Sequence, residues 1–131
     1  MNNNLPNWLE RHINIFDNEQ IHHAFIISGS MGIGKSLLIE NLAEKILNNK
    51  ISLENNPDFH YLKILAEKKL IGINQIHELR DKLYESSFLG KNKVAVINEI
   101  EKISIDGLNA ILKILEEPPK NTYFLLSTNF L

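Results

Sequence analysis

Eight consecutive residues near the start of the chain have the types and spacing needed to hold a polyphosphate. They are Gly29, Ser30, Met31, Gly32, Ile33, Gly34, Lys35 and Ser36. They match the pattern G-x-x-x-x-G-K-[ST] at every fixed position. Glycines allow backbone N–H groups to face phosphate oxygens, and a helix that begins there adds partial positive charge. The pattern predicts that Lys35 reaches the outer phosphates and that Ser36 is a Mg²⁺ ligand. An incidental glycine-rich turn is the alternative.

A second polar pair follows an apolar run later in the chain. Residues 94–97 are Val, Ala, Val and Ile, and Asn98 and Glu99 come directly after them. In phosphate-loop ATPases an acid at this point associates with Mg²⁺, and a following Glu orients the attacking water. Glu99 is therefore the candidate catalytic group, with a solvated strand-end carboxylate as the alternative. Asn98 supplies an amide without negative charge, so we expect weakly held Mg²⁺ and slow hydrolysis. Glu101 is expected at the surface.

The elements that must position these residues follow from the hydrophobic pattern. Short apolar runs predict four strands, at 24–28, 58–65, 94–97 and 123–127. Helical spacing predicts helices at 5–16, 36–48 and 73–84. Ser104 is expected to cap a further helix, which Pro118 and Pro119 end. Alternating strands and helices indicate an α/β fold with a parallel sheet and crossover helices.

Composition limits the class of protein. The 131 residues carry a formal net charge of −2 and no cysteine. This charge gives no support to direct nucleic-acid contact, and the lack of cysteine excludes disulfides and thiolate zinc sites. The five histidines lack the spacing of a zinc ligand set, so no zinc is expected. No apolar run approaches the roughly 20 residues that span a bilayer, and no signal peptide is recognisable. We expect a cytoplasmic domain without membrane association.

Several longer segments resemble the AAA+ ATPases of bacterial clamp loaders. Residues 109–119 are similar, nearly position for position, to the family segment N-A-L-L-K-x-L-E-E-P-P, and residues 23–29 resemble the strand before its phosphate loop. Residues 122–129 resemble the strand that ends at the family's sensor-1 position, which implies that Asn129 senses the γ-phosphate. The resemblance runs over nearly the whole chain. It implies ATP and Mg²⁺ as cofactors and a partial AAA+ nucleotide-binding domain over residues 1–131.

Within this family, the chain resembles the delta-prime subunits of DNA polymerase III more than the gamma/tau motor subunits. Residues 6–9 are similar to the delta-prime type, and Asn98 stands where a motor subunit carries Asp. The resemblance implies a subunit that supports ATP-driven loading of the sliding clamp in DNA replication. Its own hydrolysis would be weak or absent. Its partners would be the gamma/tau and delta subunits, with the sliding clamp and primed DNA reached through the assembly.

The chain also departs from the family pattern. Residues 48–57 are few and contain no cysteine, so the family's zinc module is not expected. The family's fifth strand, Ser-Arg-Cys segment and helical lid would follow Asn129. We therefore expect a sheet truncated before that strand and lid, with the first strand as an edge that favours self-association. Two alternatives remain open. One is an active P-loop ATPase, either a gamma/tau motor or an unrelated kinase, and the other is a vestigial fragment. Residues 109–119 disfavour a kinase, and Asn98 disfavours a fast ATPase.

Overall fold

Four parallel strands form one sheet in the computed structural model, which describes residues 23–29, 34–65, 68–85, 87–89 and 91–129. The strands are β1 (Ala24–Ser28), β2 (Phe59–Leu62), β3 (Lys93–Ile97) and β4 (Thr122–Thr128). Their order across the sheet is β1-β4-β3-β2, and each neighbouring pair is parallel. The inner strands β3 and β4 have continuous apolar sequence because helices cover both of their faces. All five residues of β3 are buried.

In the described ranges, three helices connect the strands. They are α1 (Lys35–Leu47), α2 (Ile73–Tyr84) and α3 (Ile105–Glu116). Ser104 caps α3, because its Oγ accepts a hydrogen bond from the Gly107 N–H at 3.0 Å. Short 3-10 turns at Leu53–Asn55 and Ile100–Lys102 lie between the larger elements. None of the helices in the described ranges is long and apolar enough to cross a bilayer.

The helices divide the core into two layers. α1 covers one face of the sheet, and α2 and α3 cover the other. Along β3, Val94 and Val96 point to the α1 side, whereas Ala95 and Ile97 point to the opposite side, as the period of two along a strand requires. The α1 layer is built from Leu38, Ile39, Leu42, Ala43, Ile46, Leu47, Val94, Val96 and Leu125. The side chain of Phe124, which is fully buried, lies in the other layer.

A buried carboxylate organises the connection between α2 and β3. Asp58 is only 1% exposed. Its two oxygens accept hydrogen bonds from the backbone N–H groups of Phe88 at 2.8 Å and Leu89 at 3.1 Å. Its own backbone carbonyl accepts from the Val94 N–H at 2.9 Å, where β2 and β3 begin to pair. Asp58 therefore joins the connection to the amino end of the sheet.

A buried lysine ties α2 to the same end of β3. Lys93 is 5% exposed, and its ammonium donates to the backbone carbonyls of Leu83 and Glu85. These carbonyls belong to the last turn of α2 and the residue after it, where intrahelical donors run out. Burial lowers the pKa of Lys93, although the negative charges of Asp58 and Glu85 act to raise it. The lysine thus serves as a cap for the helix.

The predicted fold class and most predicted elements are confirmed. The sheet is parallel and α/β, and the helix predicted over 73–84 has the same bounds in the structure. The strand predicted over 58–65 is too long, because β2 ends at Leu62. Leu62 pairs with Ile97, the last residue of β3, so the residues beyond it have no strand beside them to pair with. The helix predicted over 5–16 lies outside the described residues.

Among the described residues, β1 has a strand neighbour on one side only, β4. Ile26 in the middle of this strand is 64% exposed. Exposed apolar side chains favour association with another chain, so we expect the 131-residue chain to self-associate with rising concentration. Ile26→Lys should shift the population to monomer in sedimentation-velocity runs, whereas Tyr61→Lys on the opposite edge strand should shift it less. A wild-type chain that stays monomeric and melts cooperatively at high concentration would contradict this expectation.

Candidate nucleotide site

The carboxyl ends of three parallel strands bring together residues that are far apart in the sequence. β1 and β4 are in register from Ala24 opposite Phe124 to Ser28 opposite Thr128. β3 lies on the other side of β4, with Ile97 opposite Leu126. Residues directly after these strands therefore share one edge of the sheet. Ligands of open parallel sheets bind at this edge.

The phosphate-loop sequence lies between β1 and α1, as predicted. Gly29 is buried after β1, and Gly34 precedes the first residue of α1. Gly34 has φ 86° and ψ 14°, a left-handed conformation that other residues rarely adopt. The first turn of α1 holds no acidic residue, so the partial positive charge of the helix start is available to an anion. Ser30, Met31, Gly32 and Ile33 lie outside the described residues.

Lys35 connects the two strand ends. Its ammonium donates to the Gly29 carbonyl at 2.5 Å, the Thr128 carbonyl at 3.2 Å and the Asn129 Oδ1 at 2.5 Å. A lysine ammonium has three donors, and these acceptors use all of them. Lys35, which was predicted to reach the outer phosphates, and Asn129, for which the family resemblance implies γ-phosphate sensing, are thus direct neighbours.

The predicted acidic site, Asn98 and Glu99, is held in place by hydrogen bonds to Ser127 of β4. Asn98 Oδ1 accepts a hydrogen bond from the Ser127 hydroxyl at 2.5 Å, and the same hydroxyl accepts from the Glu99 N–H at 3.0 Å. Glu99 has φ 58° and ψ 69°, a left-handed conformation that costs a non-glycine residue about 1–3 kcal/mol. This backbone turns the chain out of β3 and into the 3-10 turn. Glu99 is half-buried at the same edge as Lys35 and Asn129.

Ser36 and Asn98 line one small cavity. Its volume is about 240 Å³, and its wall includes Glu40, Tyr61 and Val96 as well. The candidate Mg²⁺ ligand and the amide expected to contact metal-bound water therefore face a common space. Glu99 is not part of this wall. In the described ranges, no three His, Cys, Asp or Glu side chains form a cluster that could hold a metal ion.

Glu101 belongs to this edge, although the sequence placed it at the surface. It is half-buried, and its Oε1 accepts from the Thr128 hydroxyl at 2.8 Å. Its Oε2 accepts from the Asn129 N–H at 3.2 Å. Burial acts to raise the pKa of Glu101, but these hydrogen bonds and the nearby charge of Lys35 outweigh it and lower the pKa. These contacts could not be predicted, because the 3-10 turn Ile100–Lys102 folds this side chain back onto β4, which no sequence period reveals.

A larger cavity in the described ranges lies beside β2 and α2. Its volume is about 780 Å³, and β2 and α2 form most of its wall, with Tyr61, Gln75 and Lys82 among the lining residues. Size alone would favour it as a ligand site. However, none of the phosphate-loop or strand-end residues that the sequence singled out lines it.

Comparison with known proteins identifies the family of this sequence. A family model described as "DNA polymerase III, delta subunit" matches residues 5–130. The DNA polymerase III subunit delta' of Buchnera aphidicola subsp. Baizongia pistaciae (strain Bp) is 31% identical over 126 residues, covering 80% of this chain and 38% of that protein. The DNA polymerase III subunit gamma of Buchnera aphidicola subsp. Schizaphis graminum (strain Sg) is 32% identical over 131 residues, covering 88% of this chain and 35% of that protein.

A solved structure has a similar fold. The crystal structure of a DNA polymerase III, gamma subunit-related protein from Thermotoga maritima superposes with a TM-score of 0.71, at 23% identity, over 92% of this chain and 39% of that one. The chain thus spans well under half the length of these relatives. Because the family model matches nearly every residue, the chain belongs to the DNA polymerase III delta subunit family.

Proposed function

We propose that this chain is the nucleotide-binding part of a clamp-loader subunit and that it binds ATP with Mg²⁺ at the carboxyl edge of the sheet. The observation that carries the proposal is the contact between Lys35 Nζ and Asn129 Oδ1, directly beside the start of α1. A cation, a neutral polar amide and a helix N-terminus converge where a phosphate chain would lie. In the cell we expect a cytoplasmic protein that acts with gamma/tau and delta subunits, the sliding clamp and primed DNA.

The residues at this edge fit such a ligand. The backbone N–H groups of residues 29–34 would hold the inner phosphates, and Lys35 would exchange some of its present acceptors for outer phosphate oxygens. Ser36, on the wall of the 240 Å³ cavity, would contact Mg²⁺, with Asn98 across the same space. When bound, Mg²⁺ neutralises phosphate charge. Asn129 would contact the γ-phosphate, since its Oδ1 accepts a hydrogen bond from the ammonium of Lys35.

Slow hydrolysis is part of the proposal. Glu99 is the group that would orient water, and its backbone is fixed by the bond from its N–H to Ser127. Asn98 contributes no charge, and its Oδ1 is engaged by the Ser127 hydroxyl. An amide so engaged holds metal-bound water more weakly than a carboxylate would. The subunit would therefore serve mainly through binding and shape.

The test is calorimetric titration of the chain with ATP, with and without Mg²⁺, for the wild type and Asn98→Asp. We expect ATP to bind the wild type, and the added carboxylate to tighten Mg²⁺-ATP binding by about tenfold, or about 1.4 kcal/mol. Without Mg²⁺ the same change should weaken binding, because a negative charge then faces phosphate. Asn109→Asp, which adds the same charge on the exposed surface of α3, is the matched control. Unchanged affinity in Asn98→Asp would exclude this metal position.

An active ATPase of the gamma/tau motor type is the second candidate. The gamma relative, at 32% identity, and the presence of Glu99 favour it. Steady-state ATP hydrolysis separates the two candidates, because the first predicts that Asn98→Asp raises a rate that is near background in the wild type. A fast wild-type rate would favour the motor type.

A further inference from the structure

Glu101 closes the end of β4 with both of its carboxylate oxygens. β3 stops at Ile97, opposite Leu126, so the last residues of β4 extend beyond their strand neighbour on that side. Glu101 reaches this overhang and accepts from the Thr128 hydroxyl at 2.8 Å and from the Asn129 N–H at 3.2 Å. Hydrogen bonds to an ionised carboxylate are roughly twice as strong as those between neutral groups. The carboxylate therefore supplies hydrogen-bond acceptors where β3 no longer lies beside β4.

The same overhang carries the groups that face the ligand. The Thr128 carbonyl and the Asn129 side chain are two of the three acceptors of Lys35. The hydroxyl of Thr128 and the N–H of Asn129 are the two donors to Glu101. Each of these two residues thus contacts Glu101 with one polar group and Lys35 with another. The hydrogen bonds to Glu101 therefore also restrict the positions of the Thr128 carbonyl and the Asn129 side chain, which contact Lys35.

We propose that Glu101 is a positioning residue of the nucleotide site, which holds Asn129 where it can contact a γ-phosphate. This inference rests on the function proposed above. A positioning role predicts different effects on ATP and ADP binding, whereas a purely structural role does not. Loss of Glu101 should weaken ATP binding while leaving ADP binding nearly unchanged, because ADP has no γ-phosphate for Asn129 to contact.

The test measures ATP and ADP affinities of the 131-residue chain by calorimetry for wild type, Glu101→Leu and Glu101→Gln. In Glu101→Leu, which keeps side-chain bulk but has no acceptor, we expect ATP affinity to fall about tenfold and ADP affinity to change less than twofold. Glu101→Gln should restore ATP affinity to within about threefold, because its Oε1 can accept from Asn129 and its Nε2 can donate to a reoriented Thr128 hydroxyl. Glu78→Leu, at an exposed position on α2, is the matched control.

A double-mutant cycle shows whether Glu101 acts through Asn129. In an Asn129→Ala background, Glu101→Leu should cause no further loss of ATP affinity. Glu101→Ala repeats the comparison if the Leu variant does not melt cooperatively. Equal losses for ATP and ADP, no loss for either, or additive losses in the cycle would overturn the positioning role while leaving the proposed function intact. A wild-type chain that binds neither nucleotide would overturn both.

Discussion

Lys35→Ala is expected to weaken ATP binding by about 100-fold, or about 2.8 kcal/mol, the largest effect of any single change at the proposed site. The ammonium lies between the Gly29 carbonyl and the Asn129 side chain, where it can reach a bound phosphate chain without leaving the strand ends. Its removal takes away a positive charge and up to three donors at once. Calorimetric titration with ATP and Mg²⁺ measures the change.

Two further variants test whether the loss of ATP affinity is specific to the ammonium of Lys35. Lys35→Arg keeps the charge but places a planar fork of donors where a compact ammonium fits, so we expect at least half of the loss in binding energy to remain. Lys50→Ala removes a charge from an exposed position after the end of α1 and should change affinity less than twofold. If Lys35→Ala bound ATP within threefold of wild type, the phosphate-loop assignment would be wrong, whatever the fold.

Asp58→Ala is expected to lower the free energy of unfolding by about 3 kcal/mol, the largest stability effect that we predict. The substitution removes both acceptors of the Phe88 and Leu89 N–H groups. It also removes a negative charge that acts on the buried ammonium of Lys93. Urea denaturation followed by circular dichroism gives the change, and the melting temperature should fall by about 10 °C for a chain of this size.

The controls for Asp58 separate hydrogen bonding from charge in general. Asp58→Asn keeps one acceptor and should lose about half as much stability. Asp81→Ala removes a carboxylate that is 71% exposed and pairs with Arg80, and an exposed pair contributes under about 1 kcal/mol. A loss below 1 kcal/mol in Asp58→Ala would mean that water replaces the carboxylate at Phe88 and Leu89.

The bounds of helices and strands were predicted most accurately where the packing of one hydrophobic face determines them. The helix over 73–84 has its bounds because Ile76, Leu79 and Leu83 face one core at helical spacing. β2 was predicted too long because apolar residues continue past Leu62, whereas its length depends on where β3 ends. That limit is set by a neighbouring strand that is distant in the chain.

The candidate site likewise contains residues whose positions could be predicted from the sequence and one residue whose role could not. The convergence of Lys35, Asn98 and Asn129 could be predicted, because the carboxyl ends of parallel strands share an edge. The role of Glu101 could not be predicted. It requires the left-handed backbone of Glu99 and the short turn after it, which bring a surface-like carboxylate to the end of β4. Residue type and spacing carry no sign of that turn.

The buried ammonium of Lys93 also limits how the domain can deform. Sliding or tilting α2 away from β3 would strip this group of the Leu83 and Glu85 carbonyls and leave a buried charge without these acceptors. Such a separation is costly at any stage of a functional cycle. These two hydrogen bonds therefore tie the end of helix α2 to the first residue of β3, the strand that Asn98 follows.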